Sequence, residues 1–284
     1  MDMKLGRIMG WGLLAILAGS VYAGSVRKDA EASMVLTGTV DVNPDGSLHG
    51  YTIDRREQVP PEVAAIVDRN ITHWTFNLSA PITEVVHTKM SLLLLAKPAG
   101  EGKFAVTVSG ASFGDNDGHN GETVSYKSHD PMPAYPRAAI DARVSGTVFL
   151  LLRIGRDGAV QEGVAEQVNL DQYGTANEMR LYRKLLADAA LEAGKKWTYN
   201  PPTRGKGVDD PYWQVRVPVQ FNLLPFGERP KDDYGHWHGY IPGPRQTPSW
   251  ISQTLLSEAP DAMAGDGLHT GNSLLRLATP LGGS

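Results

Sequence analysis

Three places in the chain hold residues whose types and spacing suit chemistry. Gly110-Ala-Ser112-Phe-Gly114 matches the Gly-x-Ser-x-Gly pattern, in which a serine on a strand-to-helix turn is held ready for nucleophilic attack. A strand-prone run precedes it, but the Gly, Asp and Asn that follow cannot supply the required helix, so Ser112 is not read as a nucleophile. Asp115, Asn116, Asp117 and Glu122 gather oxygen ligands, yet no glutamate closes a calcium loop at the right distance. Asp, Asn and Gly at this density make turns. His236 and His238 alternate, which on a strand presents both imidazoles to one side, but they lie among Gly and Pro with no third ligand in register. There is no phosphate-cradling loop, no dinucleotide fingerprint and no cysteine, which excludes disulfides, a thiol nucleophile and thiolate zinc sites. The expectation is a protein with no catalytic residue, no cofactor and no metal, and not an enzyme.

The strongest patterning is structural. Residues 146–154 form a nearly unbroken apolar, β-prone run, and Asp157-Gly158 supplies the positive φ of a tight hairpin into a return strand over 159–168. Between 180 and 196, Leu181, Leu185 and Ala189, with Tyr182, Leu186 and Ala190, recur at i and i+4 and predict a helix with one wide apolar face. It ends at Trp197, and Pro201-Pro202 forbid continuation. Val215, Val217, Val219, Phe221 and Leu223 then alternate with Arg216, Pro218, Gln220 and Asn222, the period of a strand with one buried face. Pro218 has no N–H to donate, which confines this strand to a sheet edge. Such an edge is either blunted or used to capture another chain.

Taken in order, Tyr135-Pro136, Gly146-x-Val148, Asp157-Gly158, Ala190-Leu191 with Trp197 six residues on, and Val217-Pro-Val-x-Phe221 resemble the C-terminal domain of the TonB family. The resemblance implies a periplasmic module that does no chemistry and pairs its last strand with a short segment of an outer-membrane receptor. Carried onto this sequence, it makes Gln214, Val215, Arg216, Val217, Val219, Gln220, Phe221 and Asn222 the partner-binding residues. Arg216, Gln220 and Asn222 are expected on the outward face. Tyr135, Pro136, Gly146, Asp157, Gly158 and Trp197 are the structural motif. The chain departs from the family in lacking a histidine in its N-terminal apolar run and a long proline-rich spacer, and in lengthening the path to the helix over 169–179. These departures argue against energy transduction by this protein itself.

The rest of the chain sets the context. Lys4 and Arg7 precede an apolar run over 8–19 that is shorter than the ~20 residues that span a bilayer, and Val21-Tyr22-Ala23 suits signal cleavage. The expected location is periplasmic, with no membrane span after cleavage; the alternative is an inner-membrane anchor through an uncleaved N-terminus. A net charge of −4, from 27 basic and 31 acidic residues, argues against nucleic-acid binding. Residues 34–77 repeat the order strand, Asp-Gly turn, strand, helix, and close on Trp74-Thr-Phe-Asn, which mirrors Trp197-Thr-Tyr-Asn.

The expected fold is α+β, in two small modules, each a short antiparallel sheet packed against a helix. The segments are a signal peptide over 1–23, a diverged TonB-like module over 33–112, a linker over 113–130, a TonB C-terminal-like domain over 131–225 and a Gly/Pro-rich flexible tail over 226–284. Trp250, Ile251, Leu255 and Leu256 are candidates to cover the edge strand. The expected partner is a protein or extended peptide. A free edge also permits a homodimer, and the alternative function is a structural component of an envelope assembly.

Overall fold

The computed structural model describes residues 30–78, 81–100, 103–114, 121–205, 207–224, 227–228, 234–261, 267–270 and 275–281. The expected signal peptide and Asp115, Asn116 and Asp117 lie outside them. In chain order the elements are β1 (Glu31–Val42), β2 (Leu48–Ile53), α1 (Pro61–Ile71), β3 (Phe76–Leu78), β4 (Val86–Pro98), β5 (Phe104–Phe113), β6 (Ser125–Ser128), α2 (Arg137–Asp141), β7 (Gly146–Gly155), β8 (Val160–Leu170), α3 (Ala176–Gly194), β9 (Thr198–Asn200), β10 (Tyr212–Phe221), β11 (His238–Tyr240), α4 (Gln253–Ser257) and β12 (Leu275–Leu277). The chain is thus strand-rich α+β.

Two antiparallel sheets carry most of it. In the larger, the strand order is β11-β1-β4-β5, and β2 also pairs with β1. In the smaller, the order is β10-β7-β8. Both are started the same way. A hairpin (β1–β2, β7–β8) is followed by a helix, and the next long strand (β4, β10) pairs with the first strand of the hairpin on its other side.

Two glycines hold this arrangement. Gly46 and Gly158 turn the hairpins at φ +82° and +78°, a region that L side chains rarely enter. The aspartate before each completes the turn, Asp45 Oδ1 accepting from Ser47 N at 2.9 Å and Asp157 Oδ1 from Ala159 N at 3.0 Å. After its helix, the chain comes back onto the same turn: Phe76 N donates to Gly46 O at 2.8 Å, and Tyr199 N to Gly158 O at 2.9 Å. This close return is the physical content of the matching Trp-Thr-aromatic-Asn segments, and it leaves no space for a Cβ.

The helices bury one face each. Pro61 stands at the first turn of α1, where its missing N–H costs nothing, and Val63, Val67 and Ile71 face the larger sheet. There they pack with Leu36, Leu92 and Val108, and with an edge-to-face cluster of Trp74, Phe76 and Phe113. α3 starts earlier than its apolar period predicts. Thr175 and Glu178 form a reciprocal capping box that adds a turn inside the segment read from sequence as a lengthened connection. Leu186, Ala190 and Ala193 of α3 pack on Val148, Leu150, Leu152, Val215 and Val217, with Trp197 and Tyr199 closing the end.

The segment expected to be only a linker contributes β6, which pairs with β9 and stacks Tyr126 on Tyr199. β7 is buried on both faces, which explains its unbroken apolar run: alternate residues face α3, while Phe149 and Leu151 face the other way.

Gly158→Ala is expected to lower stability by about 2–3 kcal/mol, because the new Cβ adds an overlap to a strained φ; it would stand 2.1 Å from Tyr199 O. Gly100→Ala, with φ +85° but nothing within 4 Å among the described residues, is expected to cost only about 1 kcal/mol. Urea unfolding midpoints of the two variants check the difference.

Candidate functional site

β10 ends the smaller sheet and pairs with β7 from Tyr212↔Gly155 to Phe221↔Gly146. Arg216 N donates to His269 O at 2.6 Å and His269 N to Arg216 O at 2.9 Å, on the side away from β7. Backbone groups alternate along a strand, so Tyr212, Gln214, Pro218 and Gln220 also direct theirs outward, while Trp213, Val215, Val217, Val219 and Phe221 serve the ladder to β7. Pro218 therefore forfeits no ladder bond. Among the described residues of β10, Arg216 is the one whose outer backbone groups are bonded to a backbone neighbour.

The side chains divide along the same period. Val215, Val217, Val219 and Phe221 are buried on the α3 side, and Gln220 and Asn222 are exposed. Gln214 is half-buried, donating to Trp250 O at 2.6 Å and accepting from Ser252 N at 2.8 Å. Arg216 corrects the sequence expectation: instead of standing on the outward face beside Gln220 and Asn222, it has 0% of its surface exposed.

A covered guanidinium needs a counter-charge and filled hydrogen bonds. Arg216 Nε and Nη2 donate to the two oxygens of Glu166, on β8, at 2.7 and 3.0 Å, so the pair reaches across β7 from one outer strand to the other. Glu166 is equally buried, at 0%. Much of what covers the pair is bonded to it, although Arg216 Nη1 has no hydrogen-bond partner among the described residues. Arg216 Nη2 also donates to Leu255 O at 2.8 Å. Arg245 donates to Glu166 Oε1 at 2.9 Å and to the carbonyls of Leu255 and Leu256, each at 3.0 Å. Glu258 Oε2 lies 3.7 Å from Arg216 Nη1 and 2.6 Å from His269 Nε2. Two carboxylates thus face two guanidiniums, and the cluster carries no net charge without His269.

These bonds organise the segment after β10 as a belt, where loose docking is the sequence expectation. Ile241 exchanges backbone bonds with Leu170 at 2.8 and 3.1 Å, and Gln246 N donates to Glu166 O at 2.7 Å, along the outer edge of β8. α4 then buries Leu255 over the face that bears Arg216, and His269 reaches the edge of β10. Tyr240, buried at the start of the belt, donates to Asp261 at 3.0 Å and to Glu31 at 3.4 Å.

The motif residues serve the fold. Tyr135 donates to Val144 O and meets Phe221 edge to face, with centroids 5.3 Å apart. Pro136 caps α2. Gly146 lets β8 approach, since a Cβ there would stand 2.3 Å from Asn169 O. Trp197 is buried and donates to Pro131 O at 2.9 Å. Ser112 lies inside β5, with strand and not helix after it as far as Gly114 is described. His238 is on β11, bonded to Asp171 at 3.0 Å, and Glu122 is exposed. Among the described residues, no three His, Asp or Glu side chains gather as a metal site, and no helix is long and apolar enough to cross a membrane. Sequence reasoning missed Glu166, Arg245, Glu258 and His269. The signal for them was a single charged residue, Arg216, in an otherwise uncharged strand.

Arg216→Met is expected to cost about 3–5 kcal/mol, since it strands a buried carboxylate, and adding Glu166→Leu and Arg245→Leu should restore much of that loss in denaturant titrations. Burial first, then Asp261 and Glu31, push the Tyr240 phenol well above its ordinary range. The neutral phenol's contribution is therefore fully present below its unfolded pKa of about 10 and is lost as pH rises towards the folded value. Tyr240→Phe should flatten the alkaline limb of a stability–pH curve above about pH 10.

Comparison with known proteins finds a limited likeness. Over 95 residues, the chain is 30% identical to Protein tonB2 of Pseudomonas aeruginosa, a match that takes in 34% of this chain and 30% of that protein. The chain therefore spans less than a third of that relative's length. No family model matches. No solved structure matches either. The chain is thus similar to a TonB protein over about a third of its length.

Proposed function

We propose that this protein is a non-enzymatic, TonB-like peptide-binding module of the bacterial envelope that adds a partner segment to the outer edge of β10. The observation that carries this reading is the state of that edge. Its outward backbone groups have one backbone neighbour, His269 at Arg216, while Pro218 and Gln220 beyond it are unbonded on that side among the described residues.

The larger sheet shows what a filled edge looks like. The matching outer edge of β4 carries β5 from Met90↔Phe113 to Pro98↔Phe104. A partner strand on β10 would replace or extend the short contact made by 267–270, with main-chain bonds supplying affinity and the exposed Gln220 and Asn222 biasing sequence.

The TonB likeness supports a protein partner and an envelope location. Within that likeness, the partner is the periplasmic segment of an outer-membrane receptor, and the module over 131–225 is the unit that binds it. The parallel order of elements before it supports a diverged second copy over 33–112. The belt on both edges of the smaller sheet favours a second reading, a structural envelope component whose edge is permanently covered.

A photoreactive residue at Gln220 in the exported protein is expected to crosslink a receptor's N-terminal segment; capture of residues 267–270 alone supports the structural reading instead. Gln220→Pro removes an outward N–H, so it should weaken partner binding at least 10-fold, a loss of about 1.4 kcal/mol, with little change in the urea midpoint. Val219→Pro removes a bond to β7 and is expected to destabilise the fold itself.

A further inference from the structure

β5 is also an edge. It ends the larger sheet, and its residues, Phe104-Ala-Val-Thr-Val-Ser-Gly-Ala-Ser-Phe113, include no charge and no proline. Exposed edge strands are ordinarily blunted by lysine, proline or a covering element. β10 has two such devices, Pro218 and the belt; β5 has no proline or lysine, and among the described residues no strand pairs with its outer side.

The direction of its backbone groups follows from the ladder. Gly114 N donates to Lys89 O at 3.0 Å, so alternation turns the N–H and C=O of Ala111 and Phe113 away from β4. The bulge opposite Leu93 and Leu94 shifts the phase, and beyond it Val106 and Val108 face outward. Among the described residues, no backbone bond is made on that side.

A cleft of about 440 Å³ lies along Ser109, Ala111, Ser112 and Phe113, within the size range of ligand sites. No β4 residue lines it, so it opens on the outer side of β5. Its other walls are Thr254, Ser257 and Glu258, His269 and Thr270, and the chain from Leu275 to Leu281. A smaller annex of about 60 Å³ runs on to Arg216. The cleft therefore separates the unpaired edge of β5 from the strand contact that 267–270 makes on β10.

We propose that this cleft and the outer edge of β5 form a second strand-addition site, which takes one extended, uncharged peptide segment from a partner protein. The walls select a single chain. Opposite Ser109–Phe113 stand this chain's own residues 269–270 and 275–281, so the edge of a second copy, which brings a whole sheet with it, cannot lie alongside. The lining favours an uncharged segment: it is rich in hydroxyls, its carboxylate Glu258 is already bonded to His269, and its Arg276 is exposed to solvent. The site uses a different strand from β10 and does not depend on that reading.

The test is selection of a displayed library of random dodecapeptides on the full chain, followed by binding and amide-exchange measurements on four variants. Ala111→Pro and Val106→Pro remove outward N–H groups without touching the ladder to β4. Thr107→Lys puts a charge on the exposed edge and removes no backbone donor, which guards against misfolding of the proline variants. Gln220→Pro blocks β10 alone. The expected result is enrichment of uncharged peptides that lose at least 10-fold in affinity with each β5 variant, keep it with Gln220→Pro, and protect the Ala111 amide from exchange. The proposal is overturned if no peptide is enriched, or if the enriched peptides ignore all three β5 variants. Loss with Gln220→Pro only would assign the peptides to β10. Ala111 protection that rises with protein concentration in the absence of peptide would assign the edge to a second copy.

Discussion

The ion pair between Arg216 and Glu166 is the interaction on which the smaller sheet and its surroundings depend. A guanidinium and a carboxylate with no exposed surface are tolerable only if they are paired and further hydrogen-bonded, because the cost of removing them from water exceeds what one contact returns. The two strands that flank β7 supply the charges, and the chain after β10 supplies the rest: the Arg245 side chain, the Leu255 and Leu256 carbonyls, Glu258 and His269. The belt is held by chemistry that an apolar cover would lack. A greasy segment can slide on a greasy face, but a carbonyl that must meet Nη2 at 2.8 Å cannot.

This explains how a sheet of three strands is buried on both sides. α3 covers one face with Leu186, Ala190 and Ala193. The opposite face bears Phe149, Leu151 and the ion pair, and α4 with its flanks covers it. The larger sheet reaches its size by another route: β5 extends it beyond β4, while β2 and β11 share the far side of β1. Both begin from a hairpin and a returning third strand, and they differ in what is laid on the outer edge of that strand.

Local chemistry made much of this legible from sequence. Asp45-Gly46 and Asp157-Gly158 mark turns because few residue pairs accept that backbone, and the i, i+4 spacing of α3 and the alternation of β10 record which faces are buried. Pro218 marks an edge because a missing N–H leaves few alternatives, and β10 is the end strand of its sheet. What the sequence hid depends on distant pairing. Arg216 reads as an outward residue by period alone, and nothing local tells that Glu166, 50 positions earlier, lies beside it. The belt was legible only in part: Trp250, Ile251, Leu255 and Leu256 mark an apolar cover, but Arg245, Glu258 and His269 stand among Gly, Pro and polar residues and their partners are elsewhere in the fold. The start of α3 is a different case, since Thr175 and Glu178 carried a local cap signal that the apolar period overshadowed.

β11 has a consequence for how the chain folds. Its three residues pair with Glu31–Ser33 of β1, and the next residue, Ile241, bonds to Leu170 of the smaller sheet. Tyr240 and Glu31, joined by a hydrogen bond, are 209 positions apart. Contacts of such separation form only after the intervening chain has paid its loop-closure entropy, which makes them late events. During synthesis residues 31–33 of β1 thus wait for this partner until residue 240 has emerged. The same closure then joins the two sheets, one residue of the chain apart.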